Sequence, residues 1–341
     1  MATIKDVARH AGVTPSVVSR LLSGDPTLRV RPETKARVAA SVAELGYAPN
    51  RAARALRRAR TGALGMAMRD PTSPVYGEIF RGAEEEAGRA DHVFVVADLD
   101  SLTVDPATFR RLTGTGAIDG LVIQRDGQPG DDALLAGLRL AELPFVVVNE
   151  RVEPPLAGVA LDDTRAGRVA TAHLIALGHT EIASIDIGGP TSRSADRHAG
   201  WDQAMRHAGL EPRSDLVAVG GARPETGYRA MTELLATVRR PSAVVVGTLV
   251  AAVGALTAIR HAGLRVPEDI SVIAHHDAWF AEHVTPPLTV VRSPLRELGR
   301  RAVRLLLDRV DGQPARQDVV TEPPPELVHR GSTVHAPAGR R

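Results

Sequence analysis

Apolar residues recur at two different periods along this chain, and the change of period divides it. At the start, Ile4, Val7, Ala8 and Ala11 fall on one helical face. Thr3 and Asp6 stand before them at capping-box spacing, and Gly12 is placed to end the helix. Thr14 is a good cap for a second helix, and Pro15 suits its first position. Val18, Leu21 and Leu22 then face inward, leaving Ser16, Val17, Ser19 and Arg20 outward. A third helix is predicted from about Pro32 to Leu45, with Val38, Val42 and Leu45 closing a small core and Gly46 as the stop.

From Thr61 the pattern becomes short apolar runs alternating with helical stretches. Ala63–Met68, His92–Ala97, Gly120–Ile123 and Phe145–Val148 read as buried strands, with helices over Tyr76–Ala90 and Asp131–Leu140. A second series has strands near Ile182–Ile187, Leu216–Val219, Ala243–Val246 and Ile270–Ala274. Its helices lie near Arg165–Leu177, Ala195–Ala208, Thr226–Ala236 and Ala251–Ala262. Strand-helix alternation predicts parallel sheets covered by helices. Two such series make two lobes, and ligands bind in the crevice at strand C-terminal ends. The predicted class is therefore a small all-α helix-turn-helix unit followed by a two-lobed α/β body.

Charge sharpens that division. Residues 1–60 carry 12 Lys and Arg against 4 Asp and Glu, whereas the rest of the 341-residue chain has a net charge of −6. A basic head on an acidic body is the footprint of a polyanion bound at one end. A merely solvated basic tail does not account for it, because the basic residues sit among well-patterned apolar positions. The chain has no cysteine, which excludes disulfides and thiolate chemistry and suits a reducing cytoplasm. No secretory leader pattern or membrane-length apolar run is visible, which speaks against secretion.

The head has the form of a DNA reader. A short helix carrying small polar residues and one arginine fits the major groove, and an arginine fork matches guanine O6 and N7. Next comes Tyr47-Ala48-Pro49-Asn50-Arg51-Ala52-Ala53-Arg54-Ala55-Leu56-Arg57-Arg58-Ala59-Arg60, where Asn50 is a good cap and Leu56 stands alone among five arginines. The segment cannot bury a core by itself. It reads either as a basic linker or as a helix ordered on DNA, with arginines on phosphates and Leu56 wedged into the minor groove.

The chain closely resembles the lactose-repressor (LacI/GalR) family of bacterial transcription regulators over nearly its whole length. The resemblance rests on Ile4-Lys5-Asp6-Val7-Ala8, Ala11-Gly12-Val13, Val18-Ser19-Arg20, Glu44-Leu45-Gly46-Tyr47, Pro49-Asn50-Arg51-Ala52-Ala53 and Leu56. Further matches are His173-Leu174 with Leu177-Gly178-His179, Val266-Pro267-Glu268-Asp269-Ile270-Ser271-Val272, and Thr285-Pro286-Pro287-Leu288-Thr289. It implies a homodimer on an operator of roughly twofold symmetry, a hinge helix whose leucine kinks the central base step, and a body like the periplasmic sugar-binding proteins. By position, Pro15, Ser16 and Arg20 would read bases, and Thr14 and Ser19 would contact phosphate. Asn50, Arg51, Arg54 and Leu56 belong to the hinge. Where relatives open the third helix with serine, Arg31 precedes Pro32 here and is assigned to phosphate; the Ser23–Val30 loop is slightly long for the family. The chain is expected to recross between lobes near Asp162 and near Val290, with Leu295–Val310 returning to the first lobe. No leucine heptad follows, so no tetramerising tail is expected.

The same resemblance points to effector residues. Arg197 occupies the family's most persistent ligand position, although it also reads as a helix-surface arginine. Tyr76 sits where relatives stack an aromatic on a ligand, and equally suits a core. Asp70 precedes it. Asn149, Thr248-Leu249 and His276 stand where many relatives carry acids. With Arg69, Arg125, Arg193, Arg197 and His276 available, an anionic or less hydroxylated effector is expected in place of a plain neutral hexose; a changed sugar set or an empty cleft are the alternatives. His275, His276 and Asp277 are adjacent, not at metal-ligand spacing, so no metal is expected, and no cofactor.

These readings assign residues 1–48 to a DNA-binding domain, 49–60 to a hinge helix and 61–335 to an effector-binding and dimerisation body. The function expected is a DNA-binding transcriptional regulator, most simply a repressor, gated by a small molecule and acting in the cytoplasm on the nucleoid. The alternative is a solute-binding protein without DNA function, which has no use for residues 1–60. An enzyme is disfavoured: no phosphate-binding glycine loop, acid-base pair or nucleophile motif is visible, and Gly114-Thr115-Gly116 alone is too weak.

Overall fold

The computed structural model describes residues 2–22, 25, 27–47, 60–71, 73–114 and 116–336. It divides into two compact units, Met1–Gly62 and Ala63–Arg341.

The first unit is built on helices α1 (Ile4–Ala11), α2 (Pro15–Leu22) and α3 (Pro32–Glu44). The capping box forms: the Thr3 hydroxyl accepts from the Asp6 amide (3.3 Å), and the Asp6 carboxylate accepts from the Thr3 amide (2.9 Å). Gly12 ends α1 at φ 64°, a left-handed geometry that costs glycine nothing. Val7, Ala8, Ala11, Val18 and Val38 form the centre of the core, with Val42, Leu45 and Tyr47 packed around it. Eight-residue helices are marginal alone, so this shared core is what holds them.

The second unit contains two six-stranded sheets. The first lobe runs β1 (Ala63–Met68), α4 (Pro74–Arg89), β2 (Val93–Asp98), α5 (Leu99–Val104), α6 (Pro106–Thr113), β3 (Gly120–Ile123), α7 (Asp131–Leu140), β4 (Phe145–Val148) and β5 (Gly158–Leu161). The second runs α8 (Asp163–Ala176), β6 (Ile182–Asp186), α9 (Ser192–His207), β7 (Val217–Val219), α10 (Pro224–Leu235), β8 (Ala243–Val246), α11 (Leu249–His261), β9 (Ser271–His275) and β10 (Thr289–Arg292). Helix α12 (Leu295–Val310) and β11 (Gln317–Val320) then return to the first lobe, and β12 (Glu326–Val328) ends in the second. The strand orders are β11-β5-β4-β3-β1-β2 and β12-β10-β9-β8-β6-β7. Every pairing is parallel except β12 against β10.

The two predicted recrossings are present, and a third, between β11 and β12, was not anticipated. Strands β5, β10, β11 and β12 are three or four residues long. Strands β11 and β12 also carry polar residues, Gln317 and Asp318 in one and Glu326 in the other, so no continuous apolar run marks them.

Glycines set how closely the helices pack. A Cβ on Gly167 would lie 2.3 Å from the Arg197 carbonyl oxygen, and one on Gly200 would lie 2.2 Å from that of Thr164. Helices α8 and α9 therefore touch backbone to backbone. That contact brings the first turn of α8 against the middle of α9, where the charged centre of the cleft is built.

Candidate effector cleft and DNA-reading helix

The C-terminal ends of strands from both lobes converge on one cleft, as parallel sheets require of a ligand site. The first lobe contributes Tyr76 from α4, Gln124 after β3 and Asn149 after β4; the second contributes Arg193 and Arg197 from α9, Thr248 after β8 and His276 after β9. The enclosed space is about 50 Å³. Five of the six residues expected at an effector site thus come together: Tyr76, Asn149, Arg197, Thr248 and His276. Asp70 is exposed and does not line the space.

Arg197 is buried, not on the helix surface. Its Nε donates to Asp163 Oδ1 (2.8 Å), its Nη1 to the Gly247 carbonyl, and its Nη2 to His276 Nε2 (2.7 Å). A guanidinium cannot accept, so His276 Nε2 is the acceptor and the neutral ring carries its proton on Nδ1. Burial, reinforced by the Arg197 charge, holds His276 well below the usual histidine value, so the ring stays neutral. Asn149 and His276 both hold left-handed backbone, φ 62° and 71°. Such geometry in a non-glycine residue is costly and is concentrated at functional sites.

The expected surplus of cationic groups is absent. Arg193 donates to Asp126 and to the Arg125 carbonyl, bridging the lobes. Arg125 grips Glu150 through two nitrogens (2.8 and 3.1 Å) and reaches Asp132 (3.0 Å). Arg69 binds Asp100 (2.6 Å) and Asp131 (2.8 Å). Each arginine that suggested an anionic ligand is already matched by a carboxylate of the chain, and His276 adds no charge.

Tyr76 is part of the cleft wall, and burial pushes its hydroxyl up to about 12. Thr248 lines the space but its hydroxyl is committed: it accepts from the Ala251 amide (3.1 Å) as the cap of α11 and reaches the Gly221 carbonyl (3.4 Å). Gln124 went unnoticed in the sequence, where a single glutamine after an apolar run gives no signal. It is 1% exposed, and its side chain interacts with the Tyr76 phenol, holding down part of the rise that burial gives that hydroxyl.

In the head, Thr14, Pro15 and Ser16 are exposed at the start of α2, with Ser19 and Arg20 half-buried further along it. The Thr14 hydroxyl accepts from the Val17 amide (3.4 Å), which makes it the helix cap. Arg31 is exposed and makes no side-chain cap for α3. Arg20 is held by a residue the sequence reading passed over: its Nε donates to Asp25 (2.7 Å) and its Nη2 to Thr27 (2.9 Å). The Thr27 hydroxyl first, then Arg20, lower the Asp25 carboxyl to about 2. Asn50, Arg51, Arg54 and Leu56 lie outside the described residues.

Residues 3–50 match the family of bacterial regulatory proteins, lacI family, and residues 171–333 match the periplasmic binding protein-like domain. The HTH-type transcriptional repressor PurR of Photobacterium profundum is 32% identical over 333 residues, spanning 97% of this chain and 98% of that protein. The chain belongs to the LacI family. PurR of Serratia proteamaculans is 33% identical over 340 residues, covering 99% of this chain and 98% of its own. Among solved structures, the Lac repressor dimer bound to operator and the anti-inducer ONPF superposes with a TM-score of 0.74 at 26% identity, covering 98% and 99% of the two chains. The transcriptional regulator CelR–cellobiose complex gives 0.72 at 30%, covering 97% and 100%. As a LacI-family protein the chain is a DNA-binding transcriptional repressor with an effector-binding body of the periplasmic type. A solute-binding protein without DNA function is set aside, because the lacI-family match lies on the basic head itself.

Proposed function

We propose that this LacI-family repressor works as a homodimer in the cytoplasm, on operator DNA in the nucleoid, and that a small molecule held between its lobes sets its affinity for the operator. The observation that carries the effector reading is the cleft. Tyr76, Asn149, Arg197 and His276 arrive there from four separate elements of two lobes, and two of their buried polar atoms, Asn149 Oδ1 and His276 Nδ1, have no partner among the described residues. The chain acts as a regulator, not as a catalyst: the groups in the cleft hold and orient, and the histidine is locked by Arg197.

The dimer reading is supported by β2, an edge strand of the first lobe. Val93, Val95 and Val96 on it are 39%, 40% and 44% exposed, an apolar edge that native proteins normally cover. In this reading residues 1–48 dock on DNA, with Pro15, Ser16 and Arg20 toward bases and Thr14, Ser19 and Arg31 toward phosphates. Residues 49–60 form the hinge, where Asn50, Arg51 and Arg54 meet the backbone and Leu56 enters the minor groove. Residues 61–335 bind the effector and carry the dimer contacts.

Gel shifts on the chain's own promoter region, with a metabolite panel added, test the whole scheme. The expected result is a specific complex that one metabolite strengthens or releases. Retention equal to that of unrelated DNA, unchanged by any metabolite, would overturn it.

A further inference from the structure

The arginine assigned to base reading does not act alone. Arg20 lies in the last turn of α2, and Asp25 and Thr27 stand against its side chain. The Asp25 amide donates to the Arg20 carbonyl (3.1 Å), and the Leu28 amide to the Asp25 carbonyl (3.2 Å). These backbone bonds fix Asp25 beside the guanidinium. Arg20 Nε then donates to Asp25 Oδ2 (2.7 Å), and Nη2 to the Thr27 hydroxyl (2.9 Å). The same hydroxyl donates to Asp25 Oδ1 (2.7 Å), which also accepts from the Thr27 amide (2.8 Å). The three side chains close a ring in which each polar group has a defined direction.

Asp25 is one of only four acids among residues 1–60. An acid near a surface that meets phosphate is repelled by it, so Asp25 lowers the affinity of the head for DNA of every sequence. Its compensating effect is local. The Arg20 and Asp25 side chains are 43% and 27% exposed, and an ion pair so open to water adds little to stability. The ring acts instead on direction. An arginine has several torsions to order before it can grip a base, and a fork held beforehand docks with less of that loss. The edge held is Nε with Nη2, an edge that would otherwise suit a phosphate. The end edge, Nη1 with Nη2, is the one that meets guanine O6 and N7 head-on. The Thr27 hydroxyl and Arg20 lower the Asp25 carboxyl to about 2, so the ring stays charged at physiological pH.

Building on the reading of Arg20 as a base contact, we propose that Asp25 and Thr27 are positioning residues of the head: they hold the Arg20 fork by its side edge, so that its end edge is presented to one guanine of the operator and its charge is kept from clamping phosphate at any sequence. The two residues set discrimination at that base pair and lower overall affinity as they do so.

The test is selection of binding sites from a randomised duplex library by the full chain at one fixed salt concentration. Wild type, Arg20→Ala, Asp25→Asn, Thr27→Val and Thr27→Ser are compared base pair by base pair. Arg20→Ala identifies the position that the arginine reads. Asp25→Asn and Thr27→Val should relax guanine preference at that same position by about three- to tenfold, part of what a whole bidentate contact is worth. Thr27→Val leaves the net charge of the head unchanged, so its effect cannot come from lost repulsion. Thr27→Ser keeps the hydroxyl and should restore the preference. Loss spread evenly over all positions, or Thr27→Ser behaving like Thr27→Val, marks a merely structural role and overturns the proposal. Full guanine preference in both Asp25→Asn and Thr27→Val, where Arg20→Ala relaxes it, also overturns the proposal but leaves Arg20 as the reader. An unchanged profile in Arg20→Ala overturns the base-contact reading itself, and the proposal with it.

Discussion

Removing Asp163 tests the charge balance of the cleft directly. Asp163 and Arg197 are 3% and 5% exposed and 2.8 Å apart, so neither charge can be recovered by water when its partner goes. Taking away one partner of a buried pair costs about 3–5 kcal/mol, because the survivor is left uncompensated. Asp163→Ala should therefore destabilise the body by about that amount. Arg197→Met placed in the same chain should restore most of it, since no bare charge remains. A residue of about 1–2 kcal/mol should persist, because the Gly247 carbonyl and His276 Nε2 lose their donor. Urea unfolding followed by tryptophan fluorescence reads this well. Trp201 is buried on the same helix as Arg197 and donates to the Ile182 carbonyl (3.2 Å), whereas Trp279 is 73% exposed and changes little. A single-variant cost below about 1 kcal/mol, or a double variant as unstable as the single, would refute the view that the cleft is internally neutralised.

Four further outcomes follow from named contacts. Arg20→Ala should cost about 1–3 kcal/mol of operator binding and relax preference at one base pair, whereas Asp25→Asn, which removes a negative charge beside Arg20, should strengthen binding to all sequences and narrow the specificity ratio in competition gel shifts. Gly254→Ala places a Cβ 1.8 Å from the Pro224 carbonyl oxygen, a backbone atom that cannot step aside, and should cost about 3 kcal/mol or more in urea unfolding. His173, His179, His275 and His276 are all lowered, chiefly by burial, so the unfolded chain binds their protons first. Their stabilising effect is present above the unfolded histidine value and is lost as pH falls below it; stability should drop between pH ~7.5 and ~5.5, by at most about 1.4 kcal/mol per unit per histidine, and His275→Leu should flatten the slope. Val95→Lys on the edge strand should shift sedimentation from dimer toward monomer and weaken operator binding with it.

How much of this was legible depends on how local each feature is. The capping box at Thr3 and Asp6 and the glycine stop at Gly12 involve neighbours, so the sequence shows them. The uninterrupted apolar runs of β1, β3, β4 and β8 announce buried strands by composition, with no period needed. Tyr76, Asn149, Arg197 and His276 were found by their positions in the family pattern, and the structure brings them to one cleft. The arginines were visible but their neutralisation was not. Arg69 finds Asp131 at a separation of 62 residues, and Arg193 finds Asp126 at 67, pairings that only the folded sheets create. Thr248 lines the wall, yet its hydroxyl serves α11.

The size of the cleft turns these pairings into a mechanism for switching. About 50 Å³ leaves room for little beyond ordered water, so a ligand of ordinary size needs the lining side chains or the lobes to shift. Arg193 to Asp126 and Arg151 to Asp196 are ion pairs that tie the lobes across that gap, and any shift between the lobes acts on both. A ligand shifts a conformational equilibrium only by its differential affinity for the two states, and effector coupling is typically about 1–3 kcal/mol. Both pairs span the two lobes, so together they bias which lobe geometry prevails without ligand. Because three chain crossings join the lobes, at Asp162, after Arg292 and after Val320, such a shift is guided along one path instead of loosening the body. Gln124 lines the cleft and Asp126, two positions on, holds Arg193 of the other lobe, so the cleft wall and an interlobe tie share one short stretch of chain.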